Sequence, residues 1–220
     1  LERHFEAGYY AVDMLRGEGR FVDDIHLPDT LHCCFVRSPF AHARIRTIDV
    51  TAARQVAGVH AVWTHGDLPA ASRGPVPFGM PTQMLDNPRA WHILARDEVR
   101  FVGEAVAVVF ASSRAIAEDA AHRVAVDYEE LPIVANLRTA LDPDAPRTHS
   151  DLPTNLVVRL PFKVGDVDAA FAKAAHVVRR ELLHHRGTAH PIECRAVCAN
   201  LDAPSGELTV WNAGQGPYLE

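Results

Sequence analysis

Apolar and polar positions alternate over Ala43-Arg-Ile-Arg-Thr-Ile-Asp49, the pattern of a strand with one buried face. Residues 31–37 and 59–64 have the same strand character. Residues 50–57 predict a short helix that Gly58 ends in left-handed geometry. A second strand, helix, strand unit follows, with strands over 101–111 and 124–128. Its helix runs through residues 115–122, opened by Ser112 or Ser113 as N-cap. The most apolar run, residues 104–111, is strand-sized and far below the ~18 residues that span a bilayer. Two such units point to a mixed α/β sheet within an α+β fold.

The segments between these units read differently. The first 30 residues are charged and broken by glycine, the composition of an arm or loop before the first sheet. Residues 67–94 carry five prolines and no sustained periodicity, which predicts a long surface loop, functional, partner-facing or purely connecting. Residues 131–153 are rich in proline and aspartate and read as a traverse over the surface. Beyond it the pattern predicts strands over 156–164, 177–185, 192–201 and 207–213. It also predicts a helix over 167–175 capped by Asp166, and a turn at 202–206. The resulting division is an arm (1–15), a first domain (16–135), a linker (136–155) and an incomplete second domain (156–220). The last strands of that second domain should present unpaired edges unless other strands or a partner cover them.

Composition narrows the function classes. With 22 Lys+Arg against 28 Asp+Glu the formal charge is −6, which argues against nucleic-acid or anionic-membrane partners. Apolar residues at 48% suffice for a core. The N-terminal residues lack the apolar stretch and cleavage site of an export signal. Cys33, Cys34, Cys194 and Cys198 form neither a disulfide framework nor a Cys-x-x-Cys pair, so reduced thiols in a cytoplasmic protein are expected.

Candidate chemistry is sparse. Thirteen histidines invite a metal reading, and His190, Cys194 and Cys198 are spaced four apart. Their surroundings favour a strand, where such residues sit ~13 Å apart, too far to share one zinc. His184 and His185 point to opposite faces of their predicted strand, so no metal site is expected. No Gly-x-Ser-x-Gly elbow is present, and Arg16-Gly-Glu-Gly-Arg20 lacks both the third glycine and the preceding strand of a dinucleotide fingerprint. The residues alone assign no activity.

The order of the local motifs carries more. The chain resembles the N-terminal part of the molybdenum-binding large subunit of the xanthine dehydrogenase, aldehyde oxidase and carbon monoxide dehydrogenase family. The resemblance rests on Leu15-Arg-Gly-Glu-Gly-Arg-Phe-Val-Asp-Asp24, Phe35-Val-Arg-Ser-Pro-Phe-Ala-His-Ala-Arg-Ile45, Gly58-Val-His-Ala-Val62 and Val99-Arg-Phe-Val-Gly-Glu-Ala-Val-Ala107. It continues through Ala117-Glu-Asp-Ala-Ala121, Val126-Asp-Tyr-Glu-Glu-Leu-Pro132, Gly165-Asp-Val-Asp-Ala-Ala-Phe171, Pro191-Ile-Glu193, Gly206-Glu-Leu-Thr-Val-Trp211 and Gln215-Gly-Pro217.

The resemblance implies an α/β hammerhead domain followed by the truncated start of a molybdopterin-binding domain. It implies oxidation or hydroxylation of a small organic substrate or carbon monoxide, with oxygen taken from water, at a molybdenum centre carrying a pterin cofactor, expected as the cytosine dinucleotide. Electrons then pass to 2Fe-2S clusters and FAD, which the resemblance implies on partner chains, as in many bacterial members; the four cysteines here do not fit cluster spacing, so no cluster is expected on this chain. The remainder of its own subunit is a further expected partner.

Gln215 matches the family glutamine whose amide hydrogen-bonds an oxo ligand of molybdenum; Tyr218 departs from the histidine expected near it. Glu193, Gly103-Glu104 and Arg37-Ser38-Pro39 read as architectural, a glycine permitting close backbone approach and an arginine anchoring carbonyls. The family's Gly-Gly-Phe-Gly segment and catalytic glutamate are absent from these residues. No catalytic residue is therefore expected here, and the fragment alone should be inactive. A second reading stays open, a stand-alone binding or scaffolding module derived from the hammerhead domain.

Overall fold

The computed structural model describes residues 13–76, 85–87, 89–185, 187–188, 190–191 and 193–214. The chain divides into two compact units, one spanning Asp29–Ala175 and one joining the residues up to Pro28 to those from His176 onward.

In the larger unit the alternating segments become β1 (His32–Arg37), β2 (Ala43–Asp49) and β3 (Val59–Thr64). A helical turn α1 (Thr51–Arg54) joins β2 to β3, and Gly58 takes a φ of 87° as the chain turns into β3. Further along come β4 (Glu98–Val99), β5 (Ala105–Ala111), α2 (Arg114–Ala121), β6 (Ala125–Glu130) and α3 (Val167–Lys173). Ser113 caps α2, its side chain accepting from the Ile116 N–H at 3.3 Å, and Asp166 caps α3 by accepting from Ala169 N–H at 3.0 Å.

The expected mixed sheet is replaced by two antiparallel sheets, ordered β1-β5-β3 and β4-β2-β6. Each strand, helix, strand unit leaves one sheet and enters the other, since β2 pairs with β6 while β3 pairs with β5. Length explains this for the first unit. A parallel crossover needs a dozen or more residues, and only residues 50–58 separate β2 from β3.

The apolar run of β5 is central and covered on both faces. Val109 packs with Ala53, Val62 and Ala120 beneath the helices, and Val108 packs on the other face with Leu68 and Leu94. Val106 joins Ala43, Ala95 and Val99, where the two sheets meet.

Three strand expectations are corrected. Residues 101–104 form a turn ahead of β5 because Gly103 adopts a φ of 93°, outside strand geometry. Residues 156–164 contribute one isolated bridge, Val158 to Leu85, and no strand. Residues 177–185 form no strand among the described residues; a ladder needs a neighbouring strand, and Leu182 is 88% exposed. The traverse is held by side chains instead of a ladder. The Asn155 amide donates to the Ala140 and Pro146 carbonyls at 2.8 and 2.7 Å and accepts from Thr148 N–H at 2.9 Å, while Arg147 Nε donates to Pro153 O.

In the smaller unit β7 (Val197–Asp202) and β8 (Glu207–Asn212) form an antiparallel hairpin, later in its start than expected for β7. The Asp202 carboxylate accepts from Ser205 in the connecting turn, and Gly206 sits at a φ of 72°.

Candidate functional site

Gln215 lies outside the described residues, two positions beyond Ala213. Glu193 has a structural role, its carboxylate accepting the Val22 backbone N–H at 3.1 Å, beside the short 3-10 turn Val22–Asp24. Near it Arg20, Phe21, Asp24, Ile25, His26 and Trp211 line a recess of about 360 Å³. The Asp24 carboxylate there accepts from Phe21 N–H at 2.8 Å.

In the larger unit the architectural reading of Arg37, Ser38, Gly103 and Glu104 acquires geometry. Arg37 Nη1 donates to Gly103 O at 2.8 Å, Ser38 N–H to Glu104 O at 2.9 Å and Gly103 N–H to Ser38 O at 2.8 Å. The buried Glu104 carboxylate accepts from Arg100 N–H at 2.5 Å. Burial pushes its pKa up, against the opposing pull of that hydrogen bond and of the Arg100 charge.

Sequence reasoning missed the buried polar cluster beside this turn. His42 Nδ1 lies 2.8 Å from the Pro132 carbonyl, which only accepts, so Nδ1 carries the proton. Its Nε2 lies 3.8 Å from Glu98 Oε2 and has no hydrogen-bond partner. Arg100 donates through Nη1 to Glu98 O at 3.0 Å and sits 3.5 Å from the Glu98 carboxylate, with its own Nε unpartnered. His149 approaches from the traverse; its pKa is lowered by burial first and by the nearby Arg100 charge second. The available signal was a charged residue inside the two-residue strand β4, at a position where only a buried partner would retain it.

The cysteines are all free, and Cys33 lies beside Cys34 on β1. Burial, followed by the Glu118 charge, raises the Cys34 pKa and keeps it a thiol, a poor nucleophile. Cys198 lies in β7 opposite Trp211. Among the described residues no three His, Cys, Asp or Glu side chains gather where they could hold a metal.

Residues 16–132 match the family model for the aldehyde oxidase and xanthine dehydrogenase a/b hammerhead domain. The chain belongs to the aldehyde oxidase and xanthine dehydrogenase family. Residues 148–220 match the molybdopterin cofactor-binding domain, so the fold is a hammerhead domain followed by the start of a molybdopterin-binding domain. The chain is 38% identical over 207 residues to the nicotine 6-hydroxylase large subunit of Paenarthrobacter nicotinovorans, covering 93% of this chain and 25% of that protein. It is 36% identical to the carbon monoxide dehydrogenase large chain of Afipia carboxidovorans, covering 93% and 26%. Quinoline 2-oxidoreductase from Pseudomonas putida 86 superposes with a TM-score of 0.79 at 40% identity, again over 93% of this chain and 26% of that one.

The chain thus spans about a quarter of the length of these relatives. It corresponds to the N-terminal part of molybdenum hydroxylase large subunits, a family of molybdenum oxidoreductases. Within residues 148–214 no described residue is buried. Among the described residues the buried polar side chains are Ser38, His42, Glu98 and Glu104, all in the larger unit and outside the cofactor-domain match.

Proposed function

We propose that this chain acts as part of a complete molybdenum hydroxylase large subunit and does not catalyse by itself. In that subunit the molybdenum and pterin group supplies oxidation of a small organic substrate or carbon monoxide with oxygen from water, and electrons leave to 2Fe-2S and FAD partner chains. The observation that carries this reading is the match of both domains in order, with 38% identity to a hydroxylase large subunit along 93% of the chain. The division into arm (1–15), hammerhead domain (16–135), linker (136–155) and molybdopterin-binding stretch (156–220) belongs to the same proposal. It is supported by side-chain bonds from Asn155 and Arg147 that hold the traverse without a ladder.

Within this scheme the hammerhead domain is a scaffold, its buried polar groups engaged in internal hydrogen bonds apart from His42 Nε2 and Arg100 Nε. Gln215 is the residue of this chain assigned to the cofactor, because a neutral amide donor can orient a metal-bound group without adding charge. No helix among the described residues is long and apolar enough to cross a membrane. A cytoplasmic assembly without nucleic acid is the setting proposed.

The test is metal analysis of the complete large subunit purified with its iron-sulfur and flavin partners. About one molybdenum per protomer is expected, together with its loss or a fall in activity in Gln215→Ala. Absence of molybdenum from the full assembly would sink the reading and favour a scaffolding module.

A further inference from the structure

Of the chain's thirteen histidines, His65 and His92 lie outside the family motifs quoted above, and these two meet. His65 opens the 3-10 turn His65–Asp67 that follows β3, and His92 lies on the segment that returns to β4, bridged to Pro75. Their ring centroids are 5.0 Å apart with an interplanar angle of 82°. Each Nδ1 faces a backbone carbonyl, His65 that of Leu94 at 3.2 Å and His92 that of Arg73 at 3.0 Å. A carbonyl only accepts, so both protons sit on Nδ1 and both Nε2 atoms present lone pairs. Backbone-anchored imidazoles of this tautomer are the form in which histidine ligates a metal.

The separation also fits. A metal bonded in the ring plane at ~2.0–2.1 Å to two imidazole nitrogens holds their centroids about 4.5–5.2 Å apart for ligand angles of about 90–110°. We propose that His65 and His92 form a two-histidine site for a divalent transition metal, through Nε2 of each. No third His, Cys, Asp or Glu side chain joins them among the described residues, so water completes the coordination.

The surrounding charges oppose one another. Arg73 disfavours a cation while tied to the carbonyls of Leu68 and Gly66, both at 2.8 Å. Glu104 favours one, lying close enough to His92 for their charges to interact. The mechanical effect of the site is to clip the excursion that carries Leu68 and Leu94 onto the outer face of β5.

The test is calorimetric titration of the untagged, chelator-treated 220-residue chain with Ni²⁺, an ion that imidazole suits. One ion per chain is expected at micromolar affinity, together with a rise in Tm. His65→Asn and His92→Asn place an amide N–H where Nδ1–H was, so the carbonyl contact and fold are kept while the ligand nitrogen is lost. Each should weaken binding at least tenfold and abolish the Tm rise, whereas His176→Asn, at an exposed histidine, should change neither. Binding of unchanged affinity in both His65→Asn and His92→Asn overturns the proposal. Should either variant fail to fold, the native chain with one equivalent of Cu²⁺ decides by electron paramagnetic resonance. Coupling to two imidazole nitrogens supports the site, and its absence rejects it.

Discussion

Arg37 Nη1 donates to the Gly103 carbonyl at 2.8 Å, tying the end of β1 to the turn that leads into β5. Two backbone hydrogen bonds between that turn and Ser38 reinforce the tie. The family motifs around Arg37 and Gly103 therefore meet in space because they build one junction of the larger unit.

Gly103 and Gly58 separate two costs of adding a Cβ. Gly103 has a φ of 93° with nothing within 4 Å of the built atom, so Gly103→Ala should cost only the left-handed strain, about 1–2 kcal/mol. At Gly58 the φ is 87° and the added carbon would lie 2.8 Å from Ser112 Oγ and 2.9 Å from Ile116 Cδ1. Both atoms are side-chain ends that must rotate aside, so overpacking adds a cost at the lower end of about 1–3 kcal/mol there. Urea melts should rank Gly58→Ala clearly below Gly103→Ala; equal stabilities would contradict the close packing of α2 on this turn.

Ser113→Ala removes the acceptor for Ile116 N–H at the start of α2. A loss of about 1 kcal/mol is expected. Ser113→Asp should restore most of it, since a carboxylate caps the same N–H and favours the helix N-terminus. Thermal melts of the three proteins check this, and a Ser113→Asp variant no more stable than Ser113→Ala would refute the cap.

Much of the larger unit was legible because its signals are local. Alternation set β2, and Gly58 and Ser113 punctuated the helices, each within a few residues of its effect. Pairing was not legible, because which sheet receives β3 depends on the short reach of residues 50–58 and on partners remote in sequence. The cluster of His42, Glu98, Arg100 and His149 was hidden for the same reason, its members coming from separate segments. In residues 177–185 the apolar pattern was real but no described neighbour completes a ladder, so pattern alone misread them.

His149 makes the fold sensitive to acid. Its folded-state pKa lies below the ordinary 6.5 because burial and the Arg100 charge disfavour the imidazolium. The stability it contributes is present above 6.5 and lost as pH falls through the folded value. His149→Gln should flatten that acid-side decline in chemical denaturation, and an unchanged slope below pH 6.5 would contradict it.

Glu104 has the opposite sign. Its folded pKa is raised above 4.5, chiefly by burial, so its contribution is fully present below 4.5 and lost as pH rises through the folded value. Glu104→Gln keeps an oxygen acceptor for the Arg100 N–H and removes the ionisation. Its stability deficit against the parent protein should therefore shrink as pH rises from about 4.5 toward neutrality. Glu104→Ala removes the acceptor altogether and leaves the Arg100 and Phe101 N–H groups without it, costing about 2–4 kcal/mol across that range. Denaturation curves from pH 4 to 7 distinguish the two effects. A Glu104→Gln deficit that grows with pH would mean that the charged carboxylate, held by its two backbone donors, outweighs its own desolvation in the folded chain.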